Sequence, residues 1–313
     1  MRKNLFLVSC IFLFSSAIAF ANDRTENNGN LILKNIPIIP ENIKNDLTRY
    51  QNIRSAPFRG FNREGNEIFI TTRFGNVSQL HRVRKQGGAR EQITFFEEPI
   101  GSISRKPGGQ LIAFAMDVGG TENNQIFLLD PKNGSSVMLT DGKSRNGGAL
   151  WEKDGSRIAY QSTRRNGQSN DVWVMDSKDL NSAEMILESP DGTWWGPSDW
   201  SRDGKKILIQ NYISITNAKV YLLDVQSKKK EMILGSNENE SYNAILSFDR
   251  SQNGVFFLTN EYGEFNQLAH KDLRTNKIKV LTEGIPWDID GYAISSDHKK
   301  AAFTVNEGGM GSL

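Results

Sequence analysis

Short apolar segments recur along the chain at a nearly constant spacing. Each is an apolar triplet of the kind found in the middle of a β-strand. The triplets begin at Ile68, Ile112, Ile158, Ile207, Val255 and Ala301. The intervals between them are 44, 46, 49, 48 and 46 residues. A period of this length indicates a repeated supersecondary unit that buries its apolar faces against its neighbours.

Turn residues keep the same period. Five of the six triplets follow a glycine-containing dipeptide, and such dipeptides supply the positive φ angles of a tight hairpin. They are Glu64-Gly65, Gly108-Gly109, Asp154-Gly155, Asp203-Gly204 and Asn253-Gly254. The last copy has Asp297-His298 at this point, so its turn is less favourable. The sequence therefore predicts that each triplet is the second strand of a hairpin.

Three further strands are predicted around each triplet, one before the turn and two after the triplet. The strand before the turn ends at Trp151, Trp200 and Phe248 in three of the units. The units close at Thr94, Thr140, Leu187, Leu234 and Thr282. Four strands in roughly 45 residues are typical of a β-propeller blade. We expect Trp151, Trp200 and Phe248 to fill the space between stacked blades.

The predicted fold class is all-β, a β-propeller of four-stranded WD40-like blades. Five full blades are expected near 56–94, 101–140, 148–187, 197–234 and 245–282. A sixth begins at Gly291 with two strands, and its third starts only at Ser312. We therefore expect 56–313 to be part of a propeller with roughly seven or eight blades, preceded by a lead-in segment at 22–55. Residues 30–39 offer strands to the last blade, although Pro37 disfavours this.

The first residues have the pattern of an export signal. Arg2 and Lys3 are followed by an apolar run from Leu5 to Phe14 and then by Ala19-Phe20-Ala21. This order is a charged region, an apolar region and a cleavage site. We expect a signal peptide at 1–21 and a periplasmic or extracellular protein. A lipoprotein anchored at Cys10 and a retained membrane anchor are the alternatives.

Charge and cysteine content exclude several classes of partner and of functional site. The chain has 38 Lys and Arg against 36 Asp and Glu, and removing Arg2 and Lys3 leaves 36 against 36. This balance argues against nucleic acid or an acidic membrane surface as a partner. Cys10 is the only cysteine, so the mature chain is predicted to have no disulfide, thiol nucleophile or cysteine metal site.

The polar residues that suggest chemistry are few. His81 and His270 fall in third strands and His298 in a turn, without the spacing of metal ligands. Glu97-Glu98 is predicted to be a solvated interblade loop, and Asp117 with Glu122 a turn whose aspartate binds its own backbone. Further candidates are the hairpin Asp130–Gly134, the solvated tip Lys228–Lys230 and the pair Trp194-Trp195, which either packs between blades or lines a ligand-facing rim.

Several segments together resemble a known family. They are Thr72–Gly75, Gln79–His81, Gln92–Phe96, Asp117–Gln125, Leu139–Asn146, Tyr160–Gly167 and Trp287–Tyr292. In this order they resemble the N-terminal β-propeller of secreted prolyl oligopeptidase-family serine peptidases, of the dipeptidyl or acylaminoacyl peptidase kind. The resemblance implies a propeller that caps a C-terminal α/β-hydrolase domain and restricts entry to short peptides. The hydrolase domain would carry the catalytic Ser, Asp and His.

A nucleophile elbow requires G-x-S-x-G between a strand and a helix. The nearest segment, Gly196–Trp200, lacks the final glycine and leads into a strand. We therefore predict no catalytic, cofactor-binding or metal-binding residues in this chain, and place the hydrolase region beyond Leu313. The parent protein is expected to act on peptides through that domain, without a cofactor.

Two other functions are compatible with the sequence. The first is a stand-alone periplasmic binding propeller of the Tol type, which would act through protein–protein interaction. The second is another propeller enzyme, such as a lyase or a glycosidase. Such an enzyme would need carboxylates, histidines or metal ligands converging on the central channel, and no repeat-spaced set is found.

Overall fold

The computed structural model describes residues 23–295 and 297–313. The predicted signal peptide at 1–21 and the alternative anchor at Cys10 lie outside these residues. The chain divides into two compact units, one ending at Ile53 and one running from Arg54 to Leu313. In the part of the chain that is described, none of the helices combines the length and apolar character required to cross a bilayer.

The described part of the first unit contains two short strands and one helix. Strands β1 (Arg24–Glu26) and β2 (Leu31–Leu33) pair antiparallel, with a 3-10 turn at Asn27–Gly29 between them. The expectation that residues 30–39 add strands to the last blade is therefore wrong for β2. Asn27, Asn28 and Gly29 all have positive φ angles, so the chain folds back on itself and forms the local hairpin at a small entropic cost.

Helix α1 (Glu41–Gln51) follows directly after Pro40, whose φ of −56° is compatible with a helix start. Ile43, Leu47 and Tyr50 recur at the spacing of one helix face and are exposed. Nothing in the β-type repeat predicts this helix, because the repeat begins only after it.

As far as the structure describes it, the second unit consists of six antiparallel sheets, each a meander in chain order. The first sheet is β3 (Phe58–Phe61), β4 (Ile68–Thr72), β5 (Gln79–Val83) and β6 (Arg90–Gln92). The second is β7 (Ile100–Arg105), β8 (Ile112–Met116), β9 (Gln125–Leu129) and β10 (Ser136–Met138). The third is β11 (Asn146–Trp151), β12 (Arg157–Ser162), β13 (Asp171–Asp176) and β14 (Asp179–Leu187).

The remaining sheets continue the series. The fourth is β15 (Trp194–Trp200), β16 (Lys206–Ser214), β17 (Asn217–Asp224) and β18 (Lys230–Leu234). The fifth is β19 (Asn243–Phe248), β20 (Gly254–Thr259), β21 (Gln267–Asp272) and β22 (Ile278–Val280). The sixth has β23 (Ile289–Ile294), β24 (Ala301–Glu307) and β25 (Met310–Ser312). The predicted all-β propeller is confirmed as six blades, five of them four-stranded; the blade number of a longer protein stays a prediction.

Every first strand carries a β-bulge, which the sequence repeat did not reveal. The register shifts lie between Phe58/Gly60, Ile100/Ile103, Gly147/Leu150, Pro197/Asp199, Ile245/Ser247 and Ile289/Gly291. A bulge bends a strand and increases its local twist. The bulges therefore give each blade extra twist along the edge formed by its first strand.

The apolar core lies between the blades. Five buried clusters occur among the described residues, and each combines side chains of two neighbouring blades. Trp200 is fully buried, and its indole Nε1 donates a hydrogen bond to the Leu150 carbonyl of the preceding blade at 3.2 Å. Trp151 donates in the same way to Ser104 at 3.0 Å. The prediction that Trp151, Trp200 and Phe248 fill the interblade space is confirmed.

Buried polar side chains form hydrogen bonds with the backbone of the loops that connect neighbouring blades. Gln79 begins the third strand of the first blade; its Nε2 donates to the carbonyls of Phe96 and Glu98, and its Oε1 accepts from the Phe96 N–H. Asp171 holds the same place in the third blade, where its carboxylate accepts from Arg165 and from the Ser189 N–H. Each connecting loop therefore obtains hydrogen bonds that water would otherwise supply.

We predict that Trp200→Ala lowers the free energy of unfolding by about 3–5 kcal/mol, because it empties an interblade position. Trp200→Phe retains most of the volume but loses the bond to Leu150, and should cost about 1 kcal/mol. Urea unfolding followed by circular dichroism measures both. Trp287→Ala removes a tryptophan that is 39% exposed and serves as the control, with a loss below about 1 kcal/mol. Equal losses for Trp200→Ala and Trp287→Ala would contradict the interblade role.

Candidate functional site

The meander gives the propeller two different faces. Connections from second to third strands, and from each fourth strand to the next blade, lie on one face, which we call the loop face. Connections from first to second and from third to fourth strands lie on the other, the turn face. This follows because successive strands in each sheet run antiparallel.

The exposed apolar side chains are distributed unequally between these faces. On the loop face, several large apolar side chains are exposed. They are Phe74, Phe95, Val118, Trp194, Tyr212, Ile213, Ile215, Tyr262, Leu281, Trp287 and Met310. On the turn face, the described residues include fewer: Phe61, Val137 and Leu180 are exposed near strand ends, and none of the large exposed apolar side chains lies in a connecting turn. Concentrated exposed apolar surface marks an interaction site, so the loop face is the candidate functional surface.

The first strands of the second to fifth blades, β7, β11, β15 and β19, lie beside one another and form the wall of the central channel. A cavity of about 230 Å³ there is lined by residues of three blades, most of them small; besides Ile103 and Leu150 they include Ser102, Gly148 and Pro197. The small side chains leave space at the channel wall, while the blades behind them are tightly packed.

The segment nearest to a nucleophile elbow has a structural role in this wall. Gly196–Trp200 lies within β15, and β16 follows it, as the sequence predicted. The buried carboxylate of Asp199 accepts hydrogen bonds from Lys153 Nζ of the third blade at 2.5 Å and from the Phe248 N–H of the fifth at 3.0 Å. Asp199 therefore joins three blades, and Ser198 is a residue of a strand.

Glu97 and Glu98 occupy the loop between the first two blades, as predicted. They point to different places: Glu97 is exposed and lines a loop-face cavity of about 490 Å³ with Phe74, Phe95 and Gln92. Glu98 Oε1 accepts a hydrogen bond from the Gly119 N–H at 2.8 Å. The two carboxylates therefore have separate surroundings, and Glu97 is the one that faces the cavity.

The aspartate of the second blade's loop-face hairpin stabilises its own turn. Asp117 accepts hydrogen bonds from the Val118 N–H, the Thr121 hydroxyl and the Glu122 N–H at 2.7–3.0 Å. Desolvation alone would raise the pKa of Asp117, but these hydrogen bonds outweigh it and lower that pKa. The predicted backbone-binding turn is confirmed. The hairpin at Asp130–Gly134 is likewise a turn, closed by a bond from the Gly134 N–H to the Asp130 carbonyl.

The histidines are dispersed, as predicted. His81 is fully buried in β5 and donates from Nδ1 to the Gln79 carbonyl at 2.9 Å. His270 in β21 contacts Asp249 Oδ2 through Nε2 at 3.1 Å, and His298 lies in the turn before β24 with a φ of 54°. Within residues 23–295 and 297–313, no three side chains of His, Cys, Asp or Glu are grouped so that they could hold a metal ion.

The tryptophan pair is divided between core and surface. Trp195 is 2% exposed and packs against Tyr221, whereas Trp194 is 38% exposed on the loop face. Packing between blades is confirmed for Trp195. A ligand-facing rim at Trp194 stays a prediction.

The lysine tip differs from its prediction at one position. Lys228 lies in the turn and pairs with Glu184, but Lys230 begins β18, where its Nζ lies 4.3 Å from the centroid of the Trp195 ring. Desolvation lowers the pKa of Lys230. The prediction of a purely solvated tip is wrong for Lys230, because its strand position directs the ammonium group onto an aromatic face.

The sequence model described as "Prolyl oligopeptidase, N-terminal beta-propeller domain" matches residues 99–288. This chain belongs to that family. The match covers the second to fifth blades and therefore includes most of the loop face. Family membership confirms the resemblance found in the sequence motifs.

A curated relative is "Uncharacterized peptidase YuxL" of Bacillus subtilis (strain 168). It is 26% identical over 187 residues, which are 58% of this chain and 25% of that protein. Among solved structures, one from a study of two prolyl endopeptidases superposes with a TM-score of 0.63 at 13% identity, over 80% of this chain and 39% of that chain. This propeller thus spans between a quarter and two fifths of the length of these two proteins.

The propeller fold is shared with proteins of other kinds. An oligogalacturonate lyase in complex with manganese superposes with a TM-score of 0.61 at 10% identity, over 77% of this chain and 68% of that chain. A putative TolB from Agrobacterium tumefaciens has a TM-score of 0.52 at 18% identity, over 72% and 80%. At these identities the similarity concerns the fold alone.

The pair Asp249–His270 on the fifth blade yields a pH prediction. Desolvation would raise the pKa of Asp249, but hydrogen bonds from Ser251 and His270 hold it below its usual value of 3.8. A carboxylate whose pKa is lowered by folding stabilises the fold above its unfolded pKa, and this contribution is lost as the pH falls through the folded pKa.

We predict that Asp249→Asn lowers the free energy of unfolding at pH 7 by about 1–2 kcal/mol. The difference from the unsubstituted protein should shrink as the pH is lowered below about 4. Urea unfolding at several pH values measures this, with the exposed Asp46→Asn in α1 as control. A difference that stays constant down to acidic pH would contradict the assignment.

Proposed function

We propose that this chain is the substrate-gating β-propeller of an exported serine peptidase that hydrolyses short peptides, with the catalytic domain in a part of the protein not included here. The observation that carries the proposal is the exposed apolar surface of the loop face, in a chain that belongs to the prolyl oligopeptidase propeller family. The loop face supplies a surface against which a catalytic domain can pack.

The gating would be steric. Interblade clusters hold the six sheets against one another, and first strands of the second to fifth blades lie side by side at the channel wall. A folded domain of about 100 residues has a radius of gyration of about 13 Å, which makes it far larger than the cavity of about 230 Å³ at this wall. An extended peptide is narrow enough to enter. The propeller would therefore select substrates by size.

Some binding specificity would come from the loop face. The cavity beside Glu97 combines the exposed rings of Phe74 and Phe95 with the amide of Gln92. Apolar walls with a small number of polar groups are typical of ligand sites. Chemistry on the peptide bond would be supplied by the hydrolase domain, through an acyl-enzyme formed on its serine. Export is supported by the charged, apolar and small-residue order of the first 21 residues.

The test uses the product of the complete reading frame. We expect it to cleave short unstructured peptides and to leave intact a folded protein that contains the same cleavage sequence in a structured region. Ser102→Tyr places a large ring at the channel wall and should lower kcat/KM for longer peptides at least about threefold, with little change for a minimal chromogenic substrate. Lys178→Tyr, in an exposed turn between β13 and β14, is the matched control.

A stand-alone Tol-type binding propeller is the alternative outcome. The fold is compatible with it, since TolB propellers share it. A product without peptidase activity would reject the proposal in favour of this alternative. A product that cleaves folded and unfolded substrates equally well would retain the peptidase and reject the gating.

A further inference from the structure

A cleft on the turn face lies between the first and second blades, on the side opposite to the loop face. Its volume is about 350 Å³. It is bordered by the β3–β4 turn, by β5 and by two turns of the second blade that contain Gln110 and Lys132. This location is separate from the channel and from the cavity beside Glu97.

The lining of this cleft is strongly basic. Its cationic side chains are Arg63, Arg82, Arg84, Arg105 and Lys132, against two carboxylates, Glu64 and Glu67. The mature chain is predicted to be balanced in charge, so this excess is local.

Two of the arginines are held in place by an ion-pair network. Arg84 contacts Glu91 at 2.8 Å and Glu67 at 3.1 Å, and Arg82 contacts Glu91 at 3.1 Å. The side chains of Arg82 and Glu67 are 20% and 18% exposed. The charges of these four groups balance one another, although Arg84 and Glu91 are 53% and 41% exposed. They form the floor of the cleft, with the buried ring of Phe69 beside them.

The positive charges of the other three cationic side chains in the lining are not neutralised by ion pairs. In the region that the structure describes, Arg63, Arg105 and Lys132 form no ion pair with a carboxylate. Glu64, the remaining acidic residue of the lining, accepts a hydrogen bond from Asn62 Nδ2. Even with the Glu64 carboxylate counted, the three cations leave an excess of positive charge around the cleft, which would attract an anion bound between them.

The segments that carry the unpaired cations are ordered before any ligand arrives. Asn62 Oδ1 accepts from the N–H groups of Asn66 and Glu67 and fixes the turn that bears Arg63. Asp130 Oδ1 accepts from the Lys132 N–H and fixes the opposite turn. Binding would therefore require little ordering of the backbone, which favours affinity.

We propose that this cleft binds a small anion carrying two or more negative charges, of the phosphate-ester or polycarboxylate type. Guanidinium groups bind both phosphate and carboxylate oxygens through paired hydrogen bonds. The floor of Arg82 and Arg84 would set the depth of the site, and Arg63, Arg105 and Lys132 would close around the ligand. The proposal is independent of any peptidase activity.

Isothermal titration calorimetry on the purified chain tests it, with sodium pyrophosphate and sodium citrate as probes and glycerol as the neutral control. We expect saturable one-to-one binding of at least one anion, weakened by added salt. Binding of pyrophosphate alone would assign a phosphate site, and binding of citrate alone a carboxylate site. Binding of neither would overturn the proposal.

Variants separate this cleft from general surface charge. Arg63→Gln and Lys132→Gln should each weaken binding about tenfold, and both positions are exposed, so the fold should be retained. Lys277→Gln is the matched control, because it lies in the corresponding turn of the fifth blade, between β21 and β22. If Lys277→Gln weakened binding as much as Lys132→Gln, or if neither cleft variant changed it, the site would be rejected.

Discussion

The structure depends on the covering of each blade by the next. The second and third strands are apolar on both faces, and a single four-stranded sheet has no means of burying both. All five buried clusters therefore combine residues from two neighbouring blades. Hydrogen bonds across the same boundary, from the indoles of Trp151 and Trp200 and to the carboxylate of Asp199, fix how neighbouring blades meet.

This requirement also determines where function can reside. The strand interiors are occupied by contacts between blades, so variable chemistry is confined to the connections and to the channel wall. The loop face carries exposed aromatic and aliphatic side chains such as Phe95 and Trp194, whereas the turn face carries polar hairpins and the basic cleft at Arg63 and Lys132. One repeated fold thus presents two chemically different surfaces.

The fold could be predicted from the sequence to a large extent, because a blade is specified by a local pattern. Apolar triplets, glycine-containing turns and the terminal Trp or Phe of the first strand recur with one period, and the blade boundaries follow from them. The bulges of the first strands were not predictable, since a register shift depends on pairing with the adjacent strand. The β1–β2 hairpin and α1 lie ahead of the repeat and were missed for that reason.

The site was less accessible to sequence reasoning. The turn at Asp117 and the strand positions of His81 and His270 could be predicted from local chemistry and periodicity. The separation of Glu97 from Glu98, the burial of Trp195 beside exposed Trp194, and the contact of Lys230 with Trp195 depend on contacts between segments far apart in sequence. The same is true of the basic cleft, whose cations come from two blades and share no motif.

The central claim is that this propeller is one part of a larger serine peptidase. The most direct measurement is the coding sequence that follows codon 313. The account predicts that the reading frame continues into alternating strands and helices with a G-x-S-x-G motif, followed in order by Asp and His. A stop codon within the length of one blade would contradict it and leave a binding propeller as the function of this chain.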